Sequence, residues 1–455
     1  MSRGSEQLSS FVYRVSLHIS VLLIAITAVE KNVFPRKGAF VEKDAKKQSA
    51  PNGARLGSRA YQNTVLVSLV ILLIGLAAAC TQYKASTILT AIAPMFDLAD
   101  GGASWIMSIF TLVGIFVALP SGKMAQLLGF KRAILISVAI LVAGSLIGLL
   151  SNHNGAVLII SRGIEGAALT CITACAPIAI KQCVPPEKMG IANGIWGCWG
   201  NGGAVIACVL TPQIFEAAGF EGVWIVFAVV STIAAVLFAT YVKTPLREVG
   251  FTEAHEKAAG FAEKSSYREF AKRDNILILV AFVCMNLIML ALLGLLPSIL
   301  QLPEKGFSMS LAGFATTLAS LLALVSCPLF GFLADKIGRI KPLLAMTLVV
   351  LGPCLFIMYT QTGTLFWIAV CVLGLIGFGC MGLFIAGWMQ LMPRPEAVAK
   401  GMGLLTFVQC VGQFLGTFFV QLLLGPSYGN YFVAGIVLMA IGFLGTAAIL
   451  ISRLK

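Results

Sequence analysis

The stretch Gly331–Lys341 reads GFLADKIGRIK, a short polar hinge with charges at Asp335, Lys336, Arg339 and Lys341, set between two long apolar runs. An earlier stretch, Gly122–Arg132, reads GKMAQLLGFKR. The two align at an offset of 209 residues, pairing Gly122 with Gly331, Gln126 with Asp335, Gly129 with Gly338 and Arg132 with Lys341. Pro186-Glu187 and Pro395-Glu396 keep the same offset, as do Gly194 with Gly403 and Gly203 with Gly412. A repeat of roughly two hundred residues is too long for a solenoid unit. It predicts a duplicated half-molecule, the plan of many secondary transporters.

Composition sets the solvent. The chain has 455 residues, 58% hydrophobic and 11% charged, with a mean hydropathy of +0.94. Soluble domains carry about a quarter charged residues, so a soluble enzyme with one large core is excluded. The net charge of +13 invites a nucleic-acid reading, but ten of the 32 lysines and arginines precede residue 64 and most others sit in short loops on alternate sides of apolar runs. That distribution orients a membrane protein and builds no basic groove, so no nucleic-acid partner is expected. The twelve cysteines are scattered, mostly within apolar runs, with no CxxC pair or Cys/His cluster. They read as small core filler, and neither metal nor cofactor is expected.

The hinge also carries a family resemblance. G-x-L-A-D-x-x-G-R-x-K, here Gly331, Leu333, Ala334, Asp335, Gly338, Arg339 and Lys341, resembles the signature loop of the major facilitator superfamily. The resemblance covers about residues 64–455. It implies an all-α membrane fold of two six-helix bundles with pseudo-two-fold symmetry, a monomer as a sufficient unit, and a cytoplasmic gating loop in each half. The first copy departs from the pattern, with Gln126 in place of the usual Asp and Phe130 in place of the usual Arg. Asp335 keeps the role that the resemblance gives it, latching the cytoplasmic side by accepting hydrogen bonds at the start of a neighbouring helix near Gly401. Arg339 and Lys341 are then expected to meet the loop or lipid headgroups.

Four segments follow. Residues 1–63 are a leader and basic linker, in which Phe11–Val29 reads as an extra span, an interfacial helix or a loosely held segment, the interfacial helix being preferred. Residues 64–243 form the first six-helix bundle, 244–275 a cytoplasmic central loop, and 276–455 the second bundle. Spans are predicted near 64–95, 103–121, 133–150, 156–182, 189–213, 222–242, 276–300, 311–332, 342–361, 364–391, 401–424 and 430–452. Loop cations gather on one side, including Lys123, Lys131, Arg132, Lys336, Arg339 and Lys341, while the opposite loops hold only Lys305 among acidic residues. The hinges and both ends of the core are therefore expected to face the cytoplasm of a cell membrane.

Well within these spans, away from their ends, lie only three charges, Lys84, Arg162 and Glu165, all in the first half. A charge in hydrocarbon costs about 2.5 kcal/mol or more, so each is a candidate functional group. Arg162 and Glu165 are three residues apart and share a helix face. The local run R-x-x-x-G, Arg162 to Gly166, resembles the fourth-helix motif of the same family, whose arginine serves proton coupling or substrate binding. Burial and the neighbouring arginine act in opposite senses on Glu165, which makes it the candidate proton carrier. The plain alternative is an ion pair that locks the helix in place. Lys84 is too deep for easy snorkelling and, with Arg162 beside one cavity, would attract an anion. The second half offers only amides, Asn286, Gln409 and Gln413, to which Trp196 and Trp199 are added as cavity-lining candidates. The fifth span reads GIWGCWGNGG, and its glycines at 194, 197, 200 and 203 predict a smooth packing face.

The sequence thus predicts secondary transport by alternating access, coupled to protons, of a small organic or inorganic anion. Small-anion permeases of the cyanate and nitrate type place cations similarly. Two alternatives remain open at this point: a proton-coupled multidrug or metabolite exporter, and a transporter-like receptor without flux. No catalytic motif or P-loop lysine is present, and His18, His153 and His255 all lie outside the core spans, so no enzyme is expected.

Overall fold

Gly129 and Gly338, the interior glycines of the two hinges, both take positive φ, at 77° and 69°. This explains why the repeat keeps glycine there: each ends one long helix and turns the chain into the next, in a region where a Cβ is strained. Gly129→Ala and Gly338→Ala are each expected to cost about 1 kcal/mol or more, read as a lower unfolding temperature of the purified protein.

The computed structural model describes residues 63–98, 102–185, 192, 195–243, 270–391 and 398–454. These belong to one unit, Arg59–Lys455, and Met1–Ser58 is a separate unit. The leader, most of the central loop (244–269), both Pro-Glu pairs and Gly194 lie outside the described residues, as do the side chains of Gln126 and Asp335.

Among the described residues the fold is all-helical. Ten segments are long and apolar enough to cross a membrane, and one more, Trp105–Ser121, is slightly shorter. The segment Ile195–Tyr241 holds two crossings, divided where Gly219 leaves the helical region at φ 66°. Twelve spans result, close to the predicted boundaries, and they are counted in chain order below. The two halves repeat one packing plan. Span 1 packs on span 5 as 7 packs on 11, span 2 on 4 as 8 on 10, and span 3 on 6 as 9 on 12. The halves meet chiefly where span 2 lies against span 11 and span 5 against span 8.

The glycine face of span 5 works differently from the predicted spacing. Gly203 supports close approach, since a Cβ there would lie 2.2 Å from that of Ala79 in span 1, and Gly202 faces Leu76. Gly197 and Gly200 face open space. The contact is therefore an adjacent pair, without the every-third stripe.

The hinge cations also have partners that the sequence did not indicate. Lys341 Nζ donates to the Ser452 carbonyl at 2.7 Å, at the end of the last span. In the first half Lys131 Nζ donates to the Ala239 carbonyl at 2.8 Å, near the end of span 6. Carbonyls at a helix C-terminus have no partner within the helix, and a lysine supplies one. Each half thus ties the start of its third span to the end of its sixth. Lys131 does this work where the register would have named Arg132, which is exposed, as is Arg339. Lys341 meets this backbone carbonyl, in place of the expected loop or headgroup partner.

Spans 1 and 7 correspond in the repeat, and both are irregular at the same level. Span 1 runs as helix over Thr64–Tyr83, unwinds through residues 84–88 and resumes over Leu89–Met95. Span 7 runs over Arg273–Leu290, widens into a π-turn at Ala291–Leu295 and resumes over Leu296–Leu300. The offset of 209 maps Lys84 onto Leu293. The two irregular segments touch, with Ser86 Oγ donating to the Leu293 carbonyl. Beyond them Thr90 Oγ1 lies 3.1 Å from Gln301 Oε1, and Gln301 Nε2 donates to the Thr87 carbonyl. The ends of spans 1 and 7 farthest from the cationic hinges are therefore joined.

Candidate functional site

The unwinding of span 1 creates the chemistry of the site. Breaking a helix inside a bilayer frees backbone carbonyls that have no water to accept. Arg162, from span 4, supplies the donors. Its Nη1 donates to Thr81 O at 2.7 Å, its Nη2 to Gln82 O at 2.8 Å, and its Nε to Ile106 O of span 2 at 3.1 Å. One guanidinium fork thus holds three spans together.

Glu165, one helical turn away, completes a triad. Arg162 Nη1 lies 2.5 Å from Glu165 Oε2, and Lys84 Nζ lies 2.6 Å from Oε1. Ser145 Oγ of span 3 also donates to Oε1 at 2.6 Å, and Lys84 donates to Ser145 at 3.1 Å. Aromatic faces close the remaining sides: the Trp224 ring lies 4.3 Å from Lys84 Nζ, and the Phe110 ring 4.6 Å from Arg162 Cζ. All three charged side chains are 0% exposed. Such a group persists only because each charge is paired and hydrogen-bonded. Two cations share one carboxylate, so the centre has one positive charge in excess.

The sequence placed Lys84 and Arg162 on a cavity where they would await an anion. In the structure they face Glu165, a carboxylate of their own chain, and neither lines the cavity at the interface. That cavity has a volume of about 20 Å³ and lies between spans 2, 4, 5 and 11. Gln409 and Gln413 line it, with Thr170, Thr173, Thr406 and Phe110 among their neighbours. The lining is neutral and rich in hydroxyl and amide groups. Trp196 stands behind the cavity wall, stacked on Trp199 at 5.8 Å, and it is Trp199 that reaches the lining. Asn286 is also outside it: its Nδ2 donates to Phe282 O one turn back in its own helix. The predicted substrate set is thus divided into a sealed charged centre, a neutral cavity and two residues in neither.

Three residues escaped the sequence reading. Ser145 looks like one small residue in an apolar helix, and Thr170 and Phe110 have no local signal. Gly166 marks the contact: a Cβ there would fall 1.9 Å from the Phe110 carbonyl. The glycine of R-x-x-x-G therefore brings span 2 onto span 4 at the residue covering Arg162. Lys305, the cation of the opposite loops, donates to Thr360 O at 2.7 Å and lies 4.4 Å from the Tyr431 ring. It belongs to the loop structure. Among the described residues no group of His, Cys, Asp and Glu is placed to hold a metal ion.

Comparison with known proteins places this architecture. The family model described as Major Facilitator Superfamily matches residues 68–417. A stretch of 168 residues is 27% identical to the methyl viologen resistance protein SmvA of Salmonella typhimurium, covering 34% of this chain and 32% of that protein. A stretch of 268 residues is 23% identical to the nitrite extrusion protein of Bacillus subtilis, covering 57% of this chain and 62% of that protein. Both matches span less than two thirds of the relative's length. The crystal structure of a D-xylose-proton symporter superposes with a TM-score of 0.62 over 86% of this chain and 96% of that one, at 14% identity, a likeness of fold alone. The match over most of the chain, together with the paired hinges and the repeated packing plan, shows that this chain belongs to the Major Facilitator Superfamily, as a multi-pass membrane protein.

Proposed function

We propose that this transporter carries a small anion by alternating access, coupled to protons. The observation that carries the reading is the excess positive charge at the centre of the first half, where Lys84 and Arg162 surround the single carboxylate of Glu165. A desolvated cationic centre favours an anion over a cation. The likeness to a nitrite extrusion protein points the same way. Glu165 is the proton-coupling group. Its protonation would release Lys84 and Arg162 toward an incoming anion, and anion release would restore the triad. Gln409 and Gln413 supply neutral donors from the opposite half.

The working unit is a monomer of two bundles, residues 64–243 and 276–455, joined by a cytoplasmic loop. The chain lies in the cell membrane with the cationic hinges and both ends of the core on the cytoplasmic side. Asp335 latches that side, and its release opens it. Asp335→Asn is the variant that tests the latch, through altered labelling of cysteines placed on either face.

A second reading, a proton-coupled exporter of cationic compounds, is favoured by the likeness to a methyl viologen resistance protein. Uptake in proteoliposomes with an inward proton gradient separates the two. Saturable nitrite, nitrate or small carboxylate uptake, with affinity reduced about tenfold or more in Lys84→Met, is expected for the anion carrier. Proton-driven methyl viologen flux without anion flux would establish the second reading instead.

A further inference from the structure

We propose that Phe110 is a shutter between Arg162 and the interface cavity, and that an anion reaches Arg162 only when this ring turns aside. The inference deepens the anion reading above and rests on it. The ring covers the Arg162 guanidinium at 4.6 Å and is itself 1% exposed. The same residue lines the neutral cavity beside Thr170, Gln409 and Gln413. Phe110 therefore stands between the cation and this polar cavity at the interface. A cavity of about 20 Å³ has room for about one water, so a bound anion requires it to enlarge. The backbone cannot supply the space, because Gly166 holds span 2 against span 4 at the Phe110 carbonyl. The ring can.

Arg162 is prepared for a further partner. A guanidinium has five N–H bonds. Four point to acceptors, on Thr81, Gln82, Ile106 and Glu165. The fifth, on Nη2, is available to an anion that displaces the ring. Across the cavity the amides of Gln409 and Gln413, on span 11, complete a set of donors suited to a small oxyanion. An anion bound there would join the two halves through one ligand, with Arg162 on one side and the glutamines on the other.

The test is covalent modification of Arg162 by methylglyoxal, an arginine reagent of small size, read by peptide mass spectrometry on the full-length protein. In the unmodified protein Arg162 should react slowly. Phe110→Ala should speed its modification about tenfold or more, and nitrate should slow it again. Leu169→Ala opens the same cavity away from Arg162, and it should leave the rate unchanged. Equal rates in Phe110→Ala and the unmodified protein, with matching unfolding temperatures, would overturn the shutter, and so would an equal acceleration in Leu169→Ala. Rapid modification of Phe110→Ala that neither nitrate nor a small carboxylate slows would keep the shutter and overturn the anion reading.

Discussion

Arg162→Met is expected to abolish transport and to leave little folded protein, whereas Lys84→Met should fold nearly normally. The difference follows from what each side chain holds. Arg162 serves Glu165 and three backbone carbonyls from spans 1 and 2. Its loss leaves buried acceptors unpaired, at about 1–3 kcal/mol each, and weakens a buried ion pair, whose rupture costs about 3–5 kcal/mol. Lys84 donates to Glu165 and Ser145 and lies over the Trp224 ring, and without it the carboxylate keeps Arg162 and the Ser145 hydroxyl. Glu165→Gln is the informative third variant. It leaves two buried cations facing one another and should be severely unstable. Adding Lys84→Met to it should restore about 0.5–3 kcal/mol of that loss, the size of a direct pairwise coupling. Unfolding temperatures of the four proteins in detergent measure this, and equal losses in Arg162→Met and Lys84→Met would contradict it.

A short bis-methanethiosulfonate bridge between Thr90→Cys and Gln301→Cys should stop transport completely, and a reducing agent should restore it. The two native side chains meet at 3.1 Å between spans 1 and 7, next to the Ser86 bond to Leu293. Alternating access requires these ends to part once in every cycle. Each single cysteine should remain active after treatment, which controls for the native cysteines, most of them buried. Continued flux through the bridged protein would mean that spans 1 and 7 do not separate during transport.

Much of this was legible because repetition and charge are visible in sequence. The offset of 209 residues located both hinges, and their interior glycines, Gly129 and Gly338, proved to take positive φ. The pairing of Arg162 with Glu165 followed from their spacing of one helical turn. Lys84 was recognised as buried, but its partner lies 81 residues away, and no local pattern specifies which face of span 1 meets span 4. The unwinding at residues 84–88 was missed for a related reason: its cause is an arginine in another helix that accommodates the freed carbonyls. Asn286 misled because an amide in an apolar helix can satisfy itself one turn back. Phe110 was invisible because a phenylalanine in an apolar run reads as packing, whatever it covers.

The confinement of all three buried charges to one half has an electrical consequence. Two cations and one carboxylate leave that half carrying about one positive charge, while the other half presents amides. A unit charge crossing the whole membrane field gains or loses about 2.3 kcal/mol per 100 mV. If the empty carrier moves this centre through a third of the field, its reorientation changes by about 0.8 kcal/mol per 100 mV. On the proposed coupling, the carrier loaded with a monovalent anion and a proton on Glu165 would move the same single positive charge. The membrane potential would then favour one reorientation and oppose the other, and the turnover of this transporter would follow the energised state of the cell even when its substrate gradient does not change.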